Sequence, residues 1–145
     1  MIDLKDYAEF WRRAVADALE GAATVLPVTI DRDMGKKIQS LPADSLTLFM
    51  LPPMAVSTSR NTDAYREKCD YVVFLMRKYS PQRVTSWDVL ADVLPQVEAL
   101  KRALLAEYGA PCSRMRLDVS SVETAPETEL YGSFAGWSLT FSLIG

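Results

Sequence analysis

The sequence predicts an α+β fold: a mainly antiparallel four- or five-stranded sheet with two helices packed on one face, spanning residues 1–145 as a single domain. Three observations carry this. Segments near residues 3–20 and 86–108 repeat apolar residues at three- and four-residue steps, the signature of amphipathic helices. Leu46–Leu51 and Tyr71–Met76 are nearly continuous β-favouring runs, as buried strands are. Trp137, Leu139, Phe141 and Leu143 alternate with Ser138, Thr140 and Ser142, the period of a strand with one face on a core.

Taken in order, the first helix presents Tyr7, Phe10, Trp11, Ala14, Val15, Ala18 and Leu19 on one face and charged residues on the other, and Gly21 ends it. Val25–Ile30 is a short β-favouring stretch, and Pro27 restricts it to a sheet edge. A polar segment from Asp31 to Ser40 follows. The run Leu46–Leu51 closes at Pro52-Pro53, and the polar stretch Ser57–Lys68 links it as a long hairpin loop to the strand within Cys69–Tyr79. Thr85, with Asp88 three residues on, caps a second helix whose inner face is Leu90, Val93, Leu94, Val97, Leu100, Leu104, Leu105 and Tyr108. Pro95 inside it either kinks the helix or starts a new one. Met115, Leu117 and Val119 alternate as a strand, and Ser120–Gly136 reads as a long acidic hairpin tip before the final strand.

At 145 residues the chain is long enough for one core. Apolar residues at 49% and charged residues at 24% place it among globular domains rather than disordered chains. A net charge of −3 offers no positive field to gather a polyanion, so nucleic acid is not an expected partner. Neither a signal-peptide pattern nor an apolar stretch long enough to span a bilayer is evident, so a cytoplasmic protein with no membrane partner is expected. Cys69 and Cys112 fit no metal-ligand spacing and read as reduced thiols; Arg114 makes Cys112 the more activated of the two.

The chain contains no histidine, which removes the commonest general base and the commonest metal ligand together. Gly35-Lys36-Lys37 resembles the end of a phosphate loop, but Ile30 stands where its first glycine belongs and Lys37 replaces the hydroxyl. Asp31 and Asp33 open like a calcium loop, but Lys36 and Pro42 occupy the positions of its glycine and bidentate glutamate. Glu123, Glu127 and Glu129 lack a fixed ligand geometry. No catalytic residue, metal or cofactor is therefore expected, and the chain reads as a non-enzymatic protein.

The order of elements, together with the closing run Ala135-Gly136-Trp137-Ser138-Leu139-Thr140-Phe141-Ser142-Leu143, resembles the small tail-terminator and head-to-tail joining proteins of long-tailed phages and prophages. The resemblance implies a homomeric ring, commonly of six subunits, that meets other tail or neck proteins, in the host cytoplasm before assembly and in the virion afterwards. It implies no substrate or cofactor. The alternative is an accessory α+β domain that binds another protein or a small ligand in an apolar pocket. Under the first reading the two long loops are the contact elements. Arg60, Arg66 and Lys68 on one face Glu123, Glu127, Glu129 and Tyr131 on the other across subunits.

Overall fold

The computed structural model describes residues 2–29, 34–110, 115–130 and 132–145, with the side chains of Glu129 and Leu130 outside that description. The elements are α1 (Leu4–Ala18), β1 (Ala23–Pro27), α2 (Met34–Gln39), β2 (Leu46–Met50), β3 (Met54–Ser57), β4 (Glu67–Lys78), α3 (Ser86–Tyr108), β5 (Arg116–Leu130) and β6 (Phe134–Ile144). The α+β class stands. The sheet is mixed and has six strands in the order β1-β2-β4-β6-β5, with β3 also on β4, beyond the end of β2.

Both long helices start as their sequences require. The Asp3 carboxylate accepts from the backbone N–H groups of Lys5 at 2.8 Å and Asp6 at 3.4 Å, and the Thr85 hydroxyl accepts from Asp88 N–H at 3.2 Å. Each satisfies amides that have no partner in the first turn. Helix α1 ends where Glu20 and Gly21 take positive φ, 53° and 74°. Helix α3 continues through Pro95, so the proline neither ends it nor starts another.

The main core lies between the sheet and α1 and α3. Tyr7, Phe10 and Trp11 of α1 and Val93, Val97, Leu100 and Leu104 of α3 meet Tyr71, Val73 and Leu75 of β4 and Leu139, Phe141 and Leu143 of β6. Tyr71 and Phe141 are register partners whose rings stack, 5.2 Å apart and 6° from parallel. Trp11 lies over Phe141 at 6.2 Å.

Several expectations are corrected. The sheet is not wholly antiparallel at its β1 edge, because α2 intervenes between β1 and β2 and the two strands run parallel. Helix α2 itself falls in the segment read as polar loop. It lies on the opposite face from α1 and α3, where Ile38 packs with Phe49, Met76 and Phe134 in a second small core. Strand β2 is therefore buried along its whole length, since both of its faces are covered. Leu94, expected to face the sheet, is 39% exposed, and Val89 takes the inner position instead. Gly35-Lys36-Lys37 lies inside α2. Ile30, Asp31, Asp33, Cys112, Arg114 and Tyr131 lie outside the described residues.

The largest correction concerns the two long loops. Ser120–Gly136 is not a hairpin tip: β5 runs to Leu130 and β6 begins at Phe134. The strand pattern is hidden because three extra residues bulge from β5 between Asp118 and Glu123, and one more between Glu127 and Leu130. Val119 sits in the first bulge and is 63% exposed, although Met115 and Leu117 are buried as expected. Likewise Ser57 ends β3, and Glu67 and Lys68 belong to β4, so the loop shrinks to residues 58–66. One extra residue opposite β4, at Leu51-Pro52-Pro53, separates β2 from β3.

Candidate docking surfaces on the two flanks of the sheet

Helix α3 has two apolar stripes. Val89, Val93, Val97, Leu100 and Leu104 form the core stripe. Trp87, Leu90, Ala91 and Leu94 recur at i, i+3, i+4 and i+7 as a second stripe beside it. This second stripe, with Pro126 of β5 and Trp137 of β6, lines a cleft of about 280 Å³ in which no lining side chain is charged. Trp137 is fixed there, because its indole N–H donates to the Leu90 carbonyl at 2.9 Å, one turn ahead of Pro95. Trp87 is 77% exposed, an unusual position for the residue type with most to gain from burial.

This flank is acidic. Asp88 and Asp92 are exposed on the same turns of α3 as the cleft. On β5, Pro126 pairs with Trp137 on the helix side, so Glu123 and Glu127, at odd steps from it, project from the other face. No Lys or Arg occurs between Leu117 and Leu130. Glu123 and Glu127 thus belong to a strand, not to a loop tip, and Glu129 follows on the same strand with its side chain undescribed.

The opposite flank is the β3–β4 hairpin. Met54 and Val56 of β3 and Tyr65 of the loop are 65%, 54% and 63% exposed. Arg60 and Arg66 are exposed beside them, and the loop is closed by Thr58 N–H donating to the Arg66 carbonyl at 3.0 Å and by Arg66 N–H donating to the Ser59 hydroxyl. Lys68 stands on β4 with its ammonium 3.9 Å from the Asp70 carboxylate. Asp63, Glu67 and Asp70 balance Arg60, Arg66 and Lys68 in number, so the hairpin is neutral overall while its two arginines stay exposed. The structure does not bring the basic and acidic groups together within one chain. Strands β4 and β6 separate β3 from β5, about 14 Å at ordinary strand spacing.

Between the flanks, on the sheet face away from α1 and α3, small polar residues hold β4, β6 and β5 together. The Ser142 hydroxyl donates to the Asp70 carboxylate. Ser142 N–H donates to the Ser121 hydroxyl at 2.7 Å, which donates in turn to the Asp118 carbonyl at 2.6 Å. The network pins the β5 bulge. Among the described residues no group of three or more Cys, Asp or Glu gathers as metal ligands would. Cys69 is buried, and burial pushes its thiol up, away from reactivity. No helix among the described residues is long and apolar enough to cross a membrane.

The chain matches no protein-family model and no curated protein.

Proposed function

We propose that the chain is a non-enzymatic assembly component that associates head to tail with copies of itself, as the ring-forming subunits of a phage-type tail or neck do. The observation that carries this is the pair of unlike flanks. One has an uncharged cleft beneath an exposed tryptophan with acidic surroundings, and the other an apolar hairpin with exposed arginines. Two different, complementary patches on opposite sides of one molecule make a heterologous contact, and such contacts generate a ring where the rotation closes. Exposed tryptophan and tyrosine are the residues that most often dominate interface energies. Opposite charge steers and orients the encounter more than it tightens it.

Sedimentation velocity across concentration and salt tests the proposal. Wild type is expected to form a discrete oligomer. Trp87→Ser on one flank and Met54→Asp with Val56→Ser on the other should each leave a folded monomer. Mixed one to one, the two variants should recover a dimer and nothing larger, because each keeps one intact flank. A wild-type monomer at every concentration overturns the proposal, and variants that fail to pair with each other overturn the head-to-tail geometry.

A further inference from the structure

Beyond self-association, a second cleft lies between α1 and the carboxyl ends of β1 and β2, the one parallel pair among the described strands. Its volume is about 300 Å³, at the small end of the range for ligand sites. Strand ends beside a helix are where ligands of open α/β sheets are commonly held. Here the strands are opened by proline: Pro27 closes β1 and Pro52 follows β2, while Val28 N–H still donates to the Met50 carbonyl at 2.8 Å. Ala8 is the small residue on the helix wall.

The cleft is apolar within and cationic at its mouth. Among its lining residues only Lys5 and Arg12 are charged. They stand seven residues apart on α1, two turns along the same side, with Ala8 between them. Among the described residues neither makes an ion pair. Asp3, two residues before Lys5, spends its carboxylate on the helix cap. Exposed Asp6 and Glu9 belong to α1 but do not line the cleft. A bare cation pair over an apolar floor stands out on a chain with net charge −3.

Tyr7 also lines the cleft, and its hydroxyl is buried beside the Trp11 indole N–H with no acceptor for its own proton. Such a group is costly unless something satisfies it. Burial holds the phenol well above its ordinary range, so it remains a donor.

We propose that this cleft binds a small amphipathic carboxylate, with its aliphatic tail against Val28, Met50 and Leu51 and its carboxylate between Lys5 and Arg12. The tail supplies burial, and the cations discriminate against a neutral alcohol of the same length. The volume limits the tail to a short chain.

Titration calorimetry with octanoate, octan-1-ol and acetate tests this, with the fluorescence of Trp11, whose ring centroid is 6.3 Å from that of Tyr7, as a second readout. Octanoate is expected to bind saturably, one per chain, and acetate not at all. Octanol should bind about tenfold more weakly, the scale of one charge-assisted contact. The exposed pair Lys5→Gln with Arg12→Gln should weaken octanoate by about the same factor, with octanol and the melting temperature unchanged. Ala8→Leu should reduce both ligands by filling the space. Equal affinity for octanoate and octanol, indifference to the double substitution, or no saturable octanoate binding overturns the proposal. Co-sedimentation with phosphatidylglycerol vesicles without octanoate binding overturns it too, by assigning the cations to a lipid surface. None of these results bears on the flank contacts, since no cleft residue belongs to either flank.

Discussion

Gly136→Ala should damage this fold more than any other single-methyl addition to a described glycine, and the size of the effect follows from the sheet. Gly136 lies in β6 between Met76 of β4 and Glu127 of β5. A Cβ built there would meet the Leu75 carbonyl oxygen at 2.0 Å and the Met76 Cα at 2.9 Å, both of them backbone. An ordinary carbon–oxygen approach is about 3.3 Å, so β4 and β6 would have to separate by roughly 1.3 Å. Hydrogen bonds of about 2.9 Å would stretch to about 4.2 Å, beyond any useful interaction. Losing about two ladder bonds in a buried strand, with their groups left unsatisfied, costs on the order of 3–5 kcal/mol. That is a large share of the roughly 5–15 kcal/mol that holds a domain. Urea melts analysed by linear extrapolation measure it. Gly35→Ala is the control, since its Cβ meets nothing within 4 Å and the site is an exposed position in α2. It should stabilise by about 0.5–1 kcal/mol, because alanine loses less backbone entropy on entering a helix. A loss below about 1 kcal/mol at Gly136 would refute the close β4–β6 approach.

Phe141→Ala removes the ring stacked on Tyr71 and covered by Trp11. It should cost about 3–5 kcal/mol in the same melts, and a loss below about 1 kcal/mol would mean that the faces of β6 are reversed. A further effect concerns alkali. Burial pushes the Tyr71 and Tyr108 hydroxyls from an ordinary 10.0 up to about 12. Between those values the native chain holds protons that the unfolded chain has released, so this stabilisation is complete below pH 10 and is lost as pH rises through about 12. Melting temperature should fall over that window, and less steeply in Tyr71→Phe with Tyr108→Phe; a flat profile in the wild type would refute the burial.

The elements legible in the sequence are those with a partner on one side only, or with enough length to show a period. Strand β6 alternates cleanly because α3 covers one face and small polar residues line the other. Helices α1 and α3 run 15 and 23 residues, several turns each, and both carry a capping residue. The rest was hidden for identifiable reasons. Helix α2 has only six residues, and Ile38 is the one it buries, too few to establish a period. Its presence also decides that β1 runs parallel to β2, so the hairpin logic used for consecutive strands does not apply at that edge. Strand β3 is four residues between a proline pair and a polar loop. Strand β5 loses its alternation at each bulge. The α3/β5 cleft left a signal that was open to inspection, the second stripe of Trp87, Leu90, Ala91 and Leu94. Its position beside the core stripe made it read as a wide inner face.

How the flanks would join also follows from strand β5. Strand β5 is one free edge of the sheet, and a free edge invites the pairing of another chain's strand. Here that route is blocked. Bulges break the line of outward amides at both ends of β5, Pro126 removes an N–H between them, and Glu123 and Glu127 place like charges where two identical edges would meet. An isologous β5–β5 contact is therefore penalised twice, by geometry and by repulsion. The cleft is set back from this edge, on the helix side, where a side chain from the hairpin of another copy needs no backbone pairing. Association through it should raise β-sheet content little, leave amide-exchange protection along β5 unchanged and slow with added salt, whereas new protection along β5 on oligomerisation would replace the cleft by strand addition as the mode of contact.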